Sequence, residues 1–146
     1  MGRRVDVSVE TVIERPVDVV AAYSGDPGNA PRWYANIRHV EWRTPAPVAP
    51  GSQMDFVATF LGRRIAYTYE VTELAPGERL VMETAQGPFP MRTTYSWAAA
   101  PGGTLMVLRN DGEPAGFSRL AGPLIETAMR RAMTKDLAAL KRILED

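Results

Sequence analysis

Five clusters rich in proline and glycine cut the stretch from Ile37 to Glu113 into six short runs, and no other feature constrains the fold as much. The clusters are Pro47-Val48-Ala49-Pro50-Gly51, Leu61-Gly62, Ala75-Pro76-Gly77-Glu78, Gln86-Gly87-Pro88-Phe89-Pro90 and Pro101-Gly102-Gly103. They leave strand-like runs near residues 37–44, 52–61, 63–74, 79–86, 91–99 and 104–112. A parallel pair needs a crossover of roughly a dozen residues or more, so connections this short make the neighbours antiparallel. The result is a meander.

The flanks follow different rules. Val5, Val7, Val9, Thr11 and Ile13 alternate with Asp6, Ser8, Glu10 and Glu14, the period-two pattern of a half-buried first strand. Arg15-Pro16 ends it, and Pro16 suits the first turn of a helix over 17–23. Asp26-Pro27-Gly28-Asn29 breaks that helix, and a second short one is expected through Pro31-Arg32-Trp33-Tyr34, the two forming a V. Beyond Glu113-Pro114-Ala115-Gly116 the period becomes helical. Phe117, Leu120, Leu124, Ala128, Met133, Leu137, Leu140 and Leu144 form an apolar face, while Arg119, Glu126, Arg130, Arg131, Lys135, Asp136, Lys141 and Arg142 occupy the remainder. Pro123 predicts a short first segment and then a long helix to the end. The expected class is α+β, with a curved antiparallel sheet of about seven strands in the order β-α-α-β6-α, wrapped around the long C-terminal helix.

Side-chain parity assigns the faces of the sheet. The inward set reads Met54, Phe56, Ala58 and Phe60, then Ile65, Tyr67, Tyr69 and Val71, then Leu80, Met82 and Thr84. The last two strands add Met91, Thr93, Tyr95 and Trp97, and Met106, Leu108 and Asn110. Asp55, Glu70, Glu83, Arg92, Arg109 and Asp111 fall on the other face. The concave side is therefore expected to be apolar, with a few hydroxyls and no formal charge. Met54, Met82, Met91, Met106, Met129 and Met133 all lie on inward strand positions or on the long helix, where flexible thioethers suit an adaptable pocket. Tyrosines and threonines on the same face supply sparse polar anchors. The same residues also suit an ordinary packed core.

Several chemistries lack their parts. The chain has 146 residues, enough for one domain over 1–146 with its own core, and no cysteine, so disulfides and thiolate chemistry are absent. That absence suits a reducing compartment, and a cytoplasmic location is expected. Val5 onward alternates, so no signal peptide is read after Arg3-Arg4, and no apolar run suggests integral membrane association. Seventeen basic residues balance seventeen acidic ones, which gives no general attraction to nucleic acid. His39 is the single histidine and shares the parity of Glu41 and Arg43. No metal, no cofactor and no Ser-His-acid triad is expected. Gly102-Gly103 belongs to a hairpin turn, without a phosphate-binding fingerprint. What remains for an enzyme is binding and positioning, with Tyr67, Tyr69, Tyr95 or Asn110 polarising a carbonyl or enolate.

Ile13-Glu14-Arg15-Pro16 leading into the first helix, Trp33 in the second, and Gly51-Ser52 opening a strand form an ordered series. It continues with Val71-Thr72-Glu73-Leu74-Ala75-Pro76 and Arg79-Leu80, then Gly103-Thr104 and Leu137-Ala138-Ala139-Leu140-Lys141. Together they resemble the helix-grip proteins of the START/Bet v 1-like superfamily, in its bacterial SRPBCC or polyketide cyclase/dehydrase-like branch. The resemblance implies a cavity between sheet and long helix for a small hydrophobic molecule such as a lipid or polyketide. By that resemblance Trp33, Tyr34, Phe117, Leu120 and Leu124 border the mouth, and Met82, Tyr95, Met106 and Met133 line the interior. Phe56, Tyr67, Tyr69 and Asn110 complete the expected ligand-binding set. The family hosts carriers, cyclases and dehydratases, so the expectation is a ligand binder, with a cyclase/dehydrase-like enzyme or an interaction module as alternatives and a monomer or homodimer as the assembly. Met106→Trp is expected to fill the cavity and abolish ligand uptake.

Overall fold

The computed structural model describes residues 4–60, 62–86, 89–114 and 122–146. Seven strands, β1 (Val5–Ile13), β2 (Ile37–Trp42), β3 (Gln53–Phe60), β4 (Arg63–Ala75), β5 (Arg79–Thr84), β6 (Met91–Ala100) and β7 (Gly103–Gly112), form one sheet in the order β1-β7-β6-β5-β4-β3-β2. Every neighbouring pair is antiparallel. The meander therefore holds from β2 to β7, and β1 closes onto the last strand, with Val5 opposite Gly112 and Ile13 opposite Thr104. The register shifts between Ile37 and His39 and between Val71 and Glu73. Such irregularities raise the local twist and bend the strand, which curls the sheet. At the β6–β7 turn the chain runs close to the end of β1. A Cβ on Gly103 would collide with the Ile13 carbonyl oxygen, so glycine is required there.

Among the described residues three helices accompany the sheet, α1 (Val17–Ser24), α2 (Ala30–Trp33) and α3 (Gly122–Glu145), with a 3-10 turn at Pro27–Asn29 before α2. Pro16 sits at the N-cap of α1 in extended conformation, and Asp18 lies in the first turn where the helix dipole favours an acid. Asp26 accepts the Gly28 N–H at 2.9 Å and starts the 3-10 turn. The short helical segment that sequence places before Pro123 lies outside the described residues, as do Phe117 and Leu120. No helix among the described residues is long and apolar enough to cross a membrane.

The charged face is organised as parity requires. Arg109 donates to Asp6 through two nitrogens at 2.8 and 2.6 Å, Arg43 bonds Asp55 at 2.7 Å, and Arg79 bonds Glu73 at 2.6 Å. Asp111 is buried under Arg4 and Arg92, both of which bond it. These pairs keep their carboxylates on the convex side, opposite the apolar interior.

Helix α3 runs alongside β1 and hydrogen-bonds the free edge of that strand through its side chains. Glu126 accepts the Asp6 N–H at 3.2 Å and Glu145 the Glu14 N–H at 2.8 Å. Arg130 donates to the Ser8 carbonyl at 3.0 Å and Lys141 to that of Val12 at 2.7 Å. An uncovered strand edge invites pairing with another chain, and these four bonds occupy it. The two halves of α3 meet the sheet differently. Leu137, Leu140 and Leu144 of the second half are buried in the core, whereas Ile125 and Met129 of the first are half-exposed and Leu124, Ala128 and Ala132 are exposed. The first half stands off the sheet.

On the packed side, the Trp97 indole N–H donates to Ser24 Oγ at 2.9 Å, and Ser24 donates to the Val20 carbonyl at 2.6 Å. Both groups are buried, so Ser24→Ala strands the indole N–H without a partner. We expect a loss of about 1–3 kcal/mol in urea unfolding. An unchanged midpoint would mean that water reaches Trp97.

Candidate functional site

Because the first half of α3 is held away from the sheet, a cavity of about 550 Å³ remains beneath it. That volume lies in the range of small-molecule sites, roughly 300–1,000 Å³. One wall is aromatic. Phe56 of β3 meets Tyr69 of β4 edge-on at 5.4 Å between ring centres, and Tyr67 lies 5.6 Å from Tyr69. Period-two alternation places Tyr67 and Tyr69 on the same face of β4, and antiparallel pairing sets Phe56 opposite Tyr67. Met82 of β5 and Met91 of β6 continue the wall, and Ile125, Met129 and Met133 of α3 form the roof.

The expected site residues fall into three groups. Tyr34, Phe56, Tyr67, Tyr69, Met82, Tyr95, Asn110, Leu124 and Met133 line the cavity. Leu124 does so while remaining 73% exposed, at an open margin of the site. Trp33 lies in the core instead, with its ring centre 4.3 Å from that of Tyr34 and 5.7 Å from that of Tyr95, so it backs the wall. Met106 is likewise a core residue, fully buried and opposite Trp97 and Thr11 in the sheet. Parity correctly turned Met106 inward, but at its level the interior is filled by protein. Met106→Trp therefore overpacks the core rather than filling the cavity, with an expected cost of about 1–3 kcal/mol or more. Phe117 and Leu120 lie outside the described residues.

The expectation of an uncharged interior needs correction. Asp136, assigned above to the polar face of the helix, is 4% exposed and lines the cavity. One of its oxygens accepts the Ala35 N–H at 3.0 Å, which pins the turn after α2 to α3. Burial raises its pKa to about 6, with the Ala35 N–H and Lys135 opposing the rise. The helical spacing carried the signal: Asp136 is seven residues from Met129 and three from Met133, on the same stripe.

The neutral polar groups form two stations. At the first, the hydroxyls of Tyr34 and Tyr95 are 2.5 Å apart. At the second, Tyr69 reaches across β5 to Thr93 of β6, 3.0 Å between hydroxyl oxygens, and Thr93 donates to Asn110 Oδ1 of β7 at 2.6 Å. Burial pushes the phenols of Tyr34, Tyr69 and Tyr95 well up and that of Tyr67 up to about 12, so all four stay protonated near neutral pH. The cavity thus presents hydroxyls and the amides of Asn36 and Asn110 but no phenolate, with Asp136 as its one carboxyl among the described lining residues.

Residues 4–145 match the family described as polyketide cyclase / dehydrase and lipid transport. The chain belongs to that family. Its fold is the helix grip of the Bet v 1-like superfamily, and solved structures share it. The di-domain ARO/CYC StfQ from the steffimycin biosynthetic pathway aligns with a TM-score of 0.79 at 15% identity, over 97% of this chain and 51% of that one. The chain thus spans about half the length of StfQ. An aromatase/cyclase, ZhuI, from Streptomyces sp. R1128 aligns with a TM-score of 0.79 at 16% identity, covering 98% of this chain and 94% of that chain. A protein of Thermus thermophilus gives 0.79 at 20% identity, with 94% of each chain covered. At these identities the likeness concerns the fold. Among curated proteins none matches significantly.

Proposed function

We propose that this chain acts as a single domain binding one small, largely apolar molecule in the cavity beneath the first half of α3. The observation that carries the reading is the hollow itself, about 550 Å³ walled by aromatic and thioether side chains with a few neutral hydrogen-bonding groups. Transfer of apolar surface from water supplies the affinity at roughly 25 cal/mol per Å², while the polar stations orient the guest. The family description joins cyclisation, dehydration and lipid transport, so membership alone leaves carrier and enzyme both open.

The neutral fluorophore N-phenylnaphthylamine tests the binding reading. Its emission should rise and shift to the blue on mixing with the protein, at one-to-one stoichiometry. Absence of any such change, together with no retained lipophile in native mass spectrometry, would sink it.

A second reading rests on Asp136. A carboxyl poised near neutrality beside two protonated tyrosines can take a proton from the carbon next to a carbonyl that the Tyr34–Tyr95 pair holds. In a β-hydroxy ketone the enolate so formed expels the β-hydroxyl, which takes that proton back from the Asp136 carboxylic acid and leaves as water, giving a conjugated enone. The β-hydroxy ketone formed from benzaldehyde and acetone supplies the test. Its conversion to the enone, followed by absorbance, should be accelerated by the protein and lose that acceleration in Asp136→Asn. No acceleration would remove the enzymatic reading and leave binding intact.

A further inference from the structure

The hydrogen-bond series across the sheet has a direction. Thr93 has one hydroxyl proton, and it goes to Asn110 Oδ1 at 2.6 Å. The 3.0 Å contact between Thr93 and Tyr69 is therefore made with the Tyr69 proton. Protons run from Tyr69 to Thr93 to Asn110, which turns the Asn110 carbonyl oxygen toward Thr93. The two amide N–H donors of Asn110 have no partner among the described residues, and Asn110 lines the cavity. We infer that Asn110 is the specificity-determining residue of this cavity, its amide N–H donors turned by the Tyr69–Thr93 relay to select a guest bearing a neutral carbonyl. This deepens the binding reading above and rests on it.

Two further observations narrow the class. No lysine or arginine is among the described lining residues, and the acid Asp136 is, so nothing there compensates a carboxylate guest. Ketones, esters and quinones satisfy the amide without bringing a charge. Thr93 and Tyr95 are successive inward positions of β6, about 7 Å apart along the strand. The Tyr34–Tyr95 pair therefore stands one inward level along the sheet from the Asn110–Thr93 pair, where a second polar group on the guest would meet it.

The test uses two isosteric probes, acetylnaphthalene and isopropenylnaphthalene, which differ as C=O against C=CH2 on one ring position. A wholly apolar cavity prefers the hydrocarbon, because the ketone gives up its hydrogen bonds to water without replacement. With Asn110 donating, calorimetric titration of the wild type should show the ketone bound about fivefold more tightly. Asn110→Leu should reverse the order while keeping hydrocarbon affinity within about twofold. Asn110→Asp, which keeps the acceptor for Thr93 but lacks the N–H donors, should also lose the ketone preference, so the test survives if the leucine variant folds poorly. Naphthoate at pH 8 should bind at least tenfold more weakly than the ketone.

Hydrocarbon preference in the wild type would overturn the inference and leave binding standing. Preference for the corresponding alcohol over the ketone would mean that Asn110 turns its oxygen to the guest, and would also overturn it. If no probe binds, the cavity reading falls and takes this inference with it.

Discussion

Ala132→Trp should close the cavity: affinity for N-phenylnaphthylamine falls at least tenfold, about 1.4 kcal/mol, while the melting temperature moves by only a few degrees. Ala132 lies on the lining face of α3 with Met129, Met133 and Asp136, yet it is exposed, because the helix stands off the sheet at that level. An indole there has open volume to enter and displaces no packed side chain. Replacing alanine on a helix costs roughly 0.7 kcal/mol or less, so the fold should persist. Ala138→Trp provides the control, since Ala138 is exposed on the same helix and is not among the lining residues. It should leave binding unchanged. If Ala132→Trp binds the fluorophore like the wild type, the guest sits elsewhere and the cavity is not the site.

The contrast between Ala132 and Met106 shows what local sequence rules carry and what they omit. Strand parity is a property of neighbouring residues, and charged side chains resist burial, so the faces of β3 to β7 and the side of Met106 were readable one strand at a time. Whether an inward side chain meets protein or open volume depends instead on how far α3 stands from the sheet at each level. That separation is set by contacts between distant segments, such as Glu126 on Asp6 and Arg130 on Ser8. Turn chemistry was equally local: five proline and glycine clusters placed the strand ends to within about two residues. Asp136 escaped for a different reason. Helical patterning assigns a charged residue to water, and the group that reconciles this one with burial is the Ala35 N–H, 101 residues away in sequence. Its place on the methionine stripe was visible, but its partner was not.

Asp136 should also make the folded protein sensitive to pH in a direction opposite to that of its surface carboxylates. Its folded pKa, about 6, lies above the unfolded value of 3.8, so the native state favours the protonated form. The associated stabilisation is fully present below about pH 4 and is lost as pH rises through about 6. Two units correspond to nearly 3 kcal/mol, and water entering through the cavity reduces that to about 2 kcal/mol. Asp6, Asp55 and Glu145 behave the other way: hydrogen bonds from Arg109, Arg43 and Lys141 respectively lower their pKa values, so their contribution is present above the unfolded values and lost in acid. The total pH profile mixes both, whereas Asp136→Asn separates them. Asparagine retains an oxygen for the Ala35 N–H and cannot ionise. Urea unfolding of both proteins from pH 4 to 8 should show similar stabilities at pH 4 and a variant more stable by about 2 kcal/mol at pH 8, with the divergence developing between about pH 4 and pH 6. A difference that stays constant across this range would show that the carboxyl is solvated in the folded state, and would remove the poised acid on which the enzymatic reading depends.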